Sequence, residues 1–138
     1  MDIRKLLFLS LFMAVLTVPA LAGVESLYGS PDLSATVSGT NEFAPGDEVT
    51  LQVIVSNTGL NTVIQMTSST ISPPDAPNLA KLVQAGLSAG SAPVTIKSEP
   101  QQIGDIAGGA SKTVNFVVKI DRNAPAGSYD LPLSLTYT

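Results

Sequence analysis

The chain has 138 residues, with seven basic and eleven acidic side chains and a formal net charge of −4. It contains no cysteine, histidine or tryptophan, which excludes a disulfide scaffold, the usual zinc and copper ligand sets and a Ser-His-Asp triad. Its few basic side chains are scattered and outnumbered, so we expect no binding to nucleic acid or to an anionic membrane surface.

The N-terminal segment has the pattern of an export signal. A short basic stretch precedes an apolar run, residues 6–16, and Pro19 stands just before the small-x-small sequence of residues 20–22. We expect cleavage between Ala22 and Gly23. The apolar run is shorter than the roughly 20 residues of a transmembrane helix. The sequence therefore predicts export to the cell surface or the extracellular space, with no membrane span in the mature part.

Removal of the signal peptide, residues 1–22, leaves 116 residues with five basic and ten acidic side chains. This length fits one domain with a single hydrophobic core. We expect residues 23–31 to form an extended lead-in and residues 32–138 to form the domain. Without cysteine, that domain is held together by its core alone.

From Asp32 onward apolar and polar residues alternate, which is the period of strands that are buried on one face. The first predicted strand has an inner face of Leu33, Ala35 and Val37. After a turn at residues 44–47, the second has an inner face of Val49, Leu51, Val53 and Val55. We expect Asn57 and Gly59 to close this strand because both tolerate positive φ.

The middle of the chain has a weaker strand pattern. Residues 62–71 predict a strand, and residues 72–77, with three prolines, predict a surface loop. Residues 79–87 fit a short helix by composition or a strand by alternation, and we favour the strand. Its proposed alternating positions are Leu79, Lys81, Val83 and Ala85.

The C-terminal third has the clearest pattern. Short strands are expected at residues 94–96 and 103–106, followed by a turn at Gly108-Gly109. The next strand has an inner face of Val114, Phe116, Val118 and Ile120. The last has an apolar face of Tyr129, Leu131, Leu133, Leu135 and Tyr137. Within it Pro132, which has no amide donor, indicates an edge position or a bulge.

About seven to eight short strands at intervals of roughly ten residues predict an all-β fold, an antiparallel immunoglobulin-like β-sandwich. The order of four segments adds a family resemblance. FAPGDEVTL at residues 43–51, VIVSNTG at 53–59, IGDIAGGASKTV at 103–114 and DRNAPAGSYDLPL at 121–133 together resemble archaeal surface-layer-like domains of immunoglobulin type. The resemblance covers residues 32–138. It implies a structural or interaction module of the cell envelope, and it brings no catalytic residues with it.

We predict that the protein is not an enzyme, with no catalytic, cofactor-binding or metal-binding residues and no cofactor. The two adjacent Ser and Lys pairs, Lys97-Ser98 and Ser111-Lys112, point to opposite faces of their strands, so neither forms a local dyad. The remaining metal candidate is calcium, through Asp47 with Glu48 or Asp121 with Asp130. We favour the interpretation that Asp47 and Asp121 stabilise turns through side-chain to backbone hydrogen bonds.

A carbohydrate module would need exposed aromatic platforms, and the candidates are Tyr28, Tyr129 and Tyr137. The last two share a face with leucines, so we expect them in or beside the core.

The assembly hypothesis is that the final strand, residues 128–138, or the lead-in pairs with another chain, since an unpaired edge invites pairing. Ordinary strands inside a closed sandwich are the alternative that we favour. The expected function is an exported, non-catalytic structural or interaction module of the envelope, with protein partners that include other copies or neighbouring modules. A carbohydrate- or calcium-binding module and an accessory ectodomain of an envelope transporter or complex are the alternatives.

Overall fold

The structure is a computed structural model, and it describes residues 26–65 and 76–138. Within these residues the fold is all-β, with nine strands and no helix. The strands are β1 (Ser26–Gly29), β2 (Leu33–Ser38), β3 (Glu48–Asn57), β4 (Asn61–Gln65), β5 (Ala80–Leu87), β6 (Val94–Ile96), β7 (Gln101–Ile106), β8 (Ser111–Ile120) and β9 (Leu133–Thr136).

The strands form three antiparallel sheets. The largest has the order β2-β3-β8-β6, the second has the order β7-β5-β9, and β1 pairs with β4 in a two-stranded sheet. The two-stranded sheet continues the β2–β3 ladder, because Gly29 lies opposite Asn61 and Leu33 lies opposite Asn57. A hydrogen bond of 2.8 Å from the Thr58 amide to the Asp32 carbonyl fills the gap between the two ladders. Residues 26–38 and 48–65 therefore form one long ribbon.

Side chains from the two larger sheets meet in one hydrophobic core. Its buried members come from β3, β5, β7 and β8: Val53, Val55, Ala80, Val83, Ala85, Ile106, Val114 and Phe116. Alternate residues of β3 and β8 point into this core, which is why their sequences alternate so regularly. The core is built largely from β-branched residues, which suit a pleated sheet.

The chain changes sheets between β6 and β7. Lys97 and Ser98 follow β6 and still bond to Val117 of β8. The Val117 carbonyl accepts a hydrogen bond of 2.8 Å from the Lys97 amide, and the Val117 amide donates one of 2.8 Å to Ser98 Oγ. Pro100 follows and has no amide to continue this ladder. The chain then joins β5 as β7, and the part of β8 before Val117 has no strand partner on that side within the described residues.

Most strand predictions are confirmed. Strands lie at each predicted position in the described residues, including residues 79–87, where β5 is a strand and not a helix. The turn at residues 44–47 is closed by a 3.2 Å hydrogen bond from the Asp47 amide to the Ala44 carbonyl, with Gly46 at φ 85°. Gly109, at φ 80°, forms the predicted turn before β8. The signal peptide, residues 66–71 of one predicted strand and residues 72–75 of the predicted loop lie outside the described residues.

The predicted alternation of β5 is wrong in its first half. Leu82 has φ 52° and is exposed, and the β5–β7 register shifts between Ala80 and Val83. This bulge moves the inward position from Lys81 to Ala80, so the buried residues are Ala80, Val83 and Ala85. A bulge adds one residue to the strand and so shifts which residues point inward. The alternation of apolar and polar residues does not show where that extra residue lies.

The predicted burial of β2 is also wrong for two of its three inner residues. Leu33 is half-buried and packs against the core, whereas Ala35 and Val37 are exposed. The cause is the position of β2 at the edge of its sheet. The strand has the alternation of a covered face, but the described part of the chain leaves most of that face uncovered.

The last strand is shorter than predicted. Residues 128–138 were expected to form it, but β9 covers only Leu133–Thr136 and begins directly after Pro132. Tyr129 and Tyr137, expected in or beside the core, are 44% and 45% exposed. Of the two alternatives that Pro132 indicates, an edge position or a bulge, the structure has the edge position, since β9 is the last strand of its sheet.

Candidate interaction surfaces

The outer edge of β9 is the first candidate surface. The Ser88 amide donates to the Pro132 carbonyl at 2.9 Å, and Ser134 and Thr136 continue this ladder opposite Gly86 and Gln84. Lys81 and Thr138 then exchange two hydrogen bonds of 3.0 and 3.1 Å. Between residues 132 and 138, the even-numbered residues therefore direct their backbone hydrogen bonds toward β5. In an antiparallel ladder the intervening residues direct their amides and carbonyls to the opposite side.

Those intervening residues are Leu133, Leu135 and Tyr137. Their backbone groups have no strand partner in the described part of the chain, since β9 ends the order β7-β5-β9. Leu133 and Leu135 are half-buried and pack against the core cluster. The outer edge of β9 thus combines outward-directed backbone groups with apolar side chains.

Neither β9 nor β2 carries a charged residue. Natural sheet edges are commonly protected by charged side chains, above all lysine. The segment from Leu131 to Thr138 and the strand Leu33–Ser38 contain none. Pro132 does not protect the outer edge, because its carbonyl belongs to the side that bonds to β5. Neither edge therefore has this form of protection.

A groove between β7 and β8 is the second candidate surface. It is open to solvent, with a cavity volume of about 340 Å³, and is lined by residues 101–103 and 112–115. Two side chains cross it: Gln101 Nε2 donates to the Asn115 carbonyl at 2.6 Å, and Lys112 Nζ donates to the Ile103 carbonyl at 3.1 Å. Each occupies an acceptor that a neighbouring strand would otherwise use.

The buried side chain of Asn57, at the end of β3, joins four backbone segments by hydrogen bonds. Its Nδ2 donates to the carbonyls of Asn78 and Ile106 at 2.7 and 2.9 Å. Its Oδ1 accepts from the amides of Asp32 and Gly59 at 3.1 and 3.0 Å. All four hydrogen-bonding positions of the amide are used. Asn57 was predicted to close β3, which is confirmed.

The predicted reason for that closure is wrong, because neither Asn57 nor Gly59 has positive φ. Gly59 is required for close approach, since a Cβ there would collide with the Ser30 carbonyl oxygen. The asparagine is required as a buried hydrogen-bonding group. Alternation patterns give no signal for either role.

The structure does not assemble either Ser and Lys pair into a dyad. Ser98 Oγ accepts from the Val117 amide, while Lys97 is exposed. Ser111 Oγ lies 2.8 Å from Ser56 Oγ, whereas the ammonium of Lys112 bonds to the Ile103 carbonyl. The hydroxyl and the ammonium of each pair therefore have different surroundings.

The carboxylates occupy separate turns. Asp47 Oδ2 accepts from the Ala44 amide at 3.1 Å, as expected for a turn-stabilising side chain. At residues 121–124 the turn is closed by a backbone bond of 3.1 Å from the Ala124 amide to the Asp121 carbonyl. Within residues 26–65 and 76–138, no three acidic side chains converge to form a metal site.

All three tyrosines are exposed, but Tyr129 and Tyr137 lie before and after β9, at its opposite ends. Tyr28 belongs to the ribbon, where it is 60% exposed. The hydroxyl of Tyr129 donates to the Pro125 carbonyl at 2.8 Å. The two C-terminal tyrosines therefore do not form one aromatic platform.

Comparison with protein-family models, curated proteins and solved structures found no match to the chain. Among the residues that the structure describes, no helix is long and apolar enough to cross a membrane.

Proposed function

We propose that the chain is an exported, non-catalytic domain of the cell envelope, of the surface-layer-like type, that binds neighbouring modules or other copies through strand edges. The outer edge of β9 carries this proposal. Backbone groups at such an edge supply affinity in strand-addition complexes, and alternate side chains supply specificity. The residues of this edge include no charge that would oppose pairing.

The proposed fold is an immunoglobulin-like sandwich. In that architecture one sheet has the strand order A-B-E-D and the other contains strands C and F. The order β2-β3-β8-β6 and the pairing of β5 with β9 fit these two sheets. One difference is that β6 precedes β7 along the chain, so the connection between the sheets is not the usual one.

The hydrogen bond of Tyr129 supports this interpretation. Immunoglobulin-type sandwiches have a tyrosine near the start of strand F whose hydroxyl bonds to the backbone a few residues upstream. Tyr129 lies just before β9 and bonds to the Pro125 carbonyl. In this assignment β9 is strand F, and its outer edge is the position of strand G.

Export and association test the proposal together. The full chain is expressed in a host with a general secretion pathway, and the exported product is examined by intact mass and sedimentation velocity. We expect a product that lacks residues 1–22 and associates as its concentration rises, without a requirement for calcium. Replacement of Ala20 and Ala22 by leucine is the control, because it removes the small residues of the cleavage pattern. Retention of the unprocessed chain in the cytoplasm contradicts export, and association only with calcium favours the ligand-binding alternative.

A further inference from the structure

We infer that the partner at the outer edge of β9 is the same strand of a second copy, paired antiparallel about a two-fold axis at Leu135. This inference rests on the proposed function and specifies its partner. The dimer would join the two three-stranded sheets into one sheet of the order β7-β5-β9-β9-β5-β7. A two-fold interface uses the same surface on both copies and is closed, so the assembly ends at the dimer.

The backbone determines which residues face the partner. Pro132, Ser134, Thr136 and Thr138 use their inward groups on β5. Leu133, Leu135 and Tyr137 therefore provide the outward amides and carbonyls. An axis at Leu135 places Leu133 of each copy opposite Tyr137 of the other and Leu135 opposite its own copy. Outward-facing backbone groups therefore meet outward-facing groups of the second copy.

This register also matches the side chains. On the inner face Leu135 lies opposite its own copy, and Leu133 lies opposite Tyr137 of the second copy. Aromatic and aliphatic cross-strand pairs of this kind stabilise a sheet. On the outer face, Ser134 lies opposite Thr136 of the second copy, which permits hydroxyl hydrogen bonds.

Charge and exposure favour an identical partner. Self-pairing about a two-fold axis brings the same short segment of both copies together, so like charges near the axis would oppose it. Residues 131–138 have none. Tyr137 is 45% exposed and Leu133 is half-buried in the single chain, so their inner-face contact would remove apolar surface from water. The β7–β8 groove is less suited to self-pairing, because Gln101 and Lys112 already bond across it.

Charge variants of the exposed residues Ser134 and Thr136 test the register. In S134K/T136K, the lysine at position 134 of one copy lies opposite the lysine at position 136 of the other, and we expect at least a tenfold weaker dimer. In S134K/T136E a lysine faces a glutamate at both of these pairs, so we expect the dimer to recover. The matched control is S34K/T36K, which introduces the same charges at exposed positions of another uncharged edge, β2. All variants are exported as the full chain and compared by light scattering coupled to size exclusion.

A crosslinking measurement gives an independent readout. Because the chain has no cysteine, S134C and T136C each carry a single thiol. We expect a mixture of the two variants to form a disulfide-linked dimer under mild oxidation much faster than either variant alone. Non-hydrogen-bonded antiparallel pairs, such as this one, bring Cα atoms within about 4.5 Å, a separation that a disulfide can span.

The outcomes separate this inference from the proposed function. A wild-type dimer that S134K/T136K does not weaken overturns pairing through β9 and leaves an interaction module that uses another edge. Loss of the dimer in S34K/T36K alone assigns the interface to β2. Equal weakening in S134K/T136K and S134K/T136E overturns the register. A wild-type protein that is monomeric at every concentration overturns self-pairing altogether.

Discussion

At the scale of single residues, the buried side chain of Asn57 joins distant segments of the chain through its hydrogen bonds. The sequence Asn57-Thr58-Gly59 predicts the end of a strand, and β3 does end there. The buried amide, however, bonds to chain segments 21 to 49 residues away. Only the folded chain brings those partners together, so periodicity cannot reveal them. The positive φ of Leu82 in β5 is unpredictable for the same reason, because it depends on the pairing of β5 with β7.

Asn57→Ala should lower the free energy of unfolding by about 2–4 kcal/mol, because it leaves buried carbonyl and amide groups without partners. Urea denaturation measures the loss. Asn115→Ala is the matched control, since its side chain is exposed on β8, and it should change stability by less than about 0.5 kcal/mol. Equal effects of the two variants would show that the hydrogen bonds of Asn57 contribute nothing specific.

Leu82 should respond with opposite signs to two substitutions. Its φ of 52° costs a non-glycine residue roughly 1–2 kcal/mol, and its side chain is 65% exposed. Leu82→Gly should therefore stabilise the protein by up to about 1 kcal/mol, since the strain relieved exceeds the added entropy of the unfolded chain. Leu82→Val should destabilise it, because a β-branched residue is disfavoured at positive φ. Thermal unfolding monitored by circular dichroism gives both signs, and destabilisation by glycine would contradict the argument.

At the scale of elements, alternation predicts the strands well and their burial unevenly. The inner faces of β3 and β8 are predicted correctly, because both are central strands of the four-stranded sheet and pack against the opposite sheet. The prediction fails for β2 because an edge strand can keep the alternating pattern without a cover. It fails at β5 because a bulge changes the phase. The β7–β8 groove was not predicted, since it depends on a change of sheet at Pro100.

The two side chains that cross the groove should stabilise the contact between β7 and β8. Gln101→Ala should lower the free energy of unfolding by about 0.5–1.5 kcal/mol, through loss of the hydrogen bond to the Asn115 carbonyl. The neighbouring Gln102 is exposed, so Gln102→Ala is the matched control and should be close to neutral. Hydrogen exchange at the amides of residues 111–115 should accelerate in the first variant only. If neither alanine variant changes the free energy of unfolding, the hydrogen bond from Gln101 does not stabilise the contact between β7 and β8.

At the scale of the whole molecule, a continuous core from two sheets and a long antiparallel ribbon account for the described fold. The chain nonetheless leaves the uncharged outer edges of β2 and β9 without strand partners among the described residues. The all-β class was predictable from alternation and frequent turns. The pattern of residues 128–138 also predicts an edge strand, but a longer one with its tyrosines in or beside the core. The structure instead gives a short strand with an apolar inner side and an outward-facing ladder.

The central claim is that this outer edge of β9 mediates association between protein chains. The most direct test is the molar mass of the exported, processed protein by light scattering coupled to size exclusion, over at least a hundredfold range of concentration. We predict a rise from the mass of one chain to that of two, with no further growth, and a shift to the single-chain mass in S134K/T136K. A constant single-chain mass across the range, or a dimer that the double-lysine variant leaves intact, would contradict the claim.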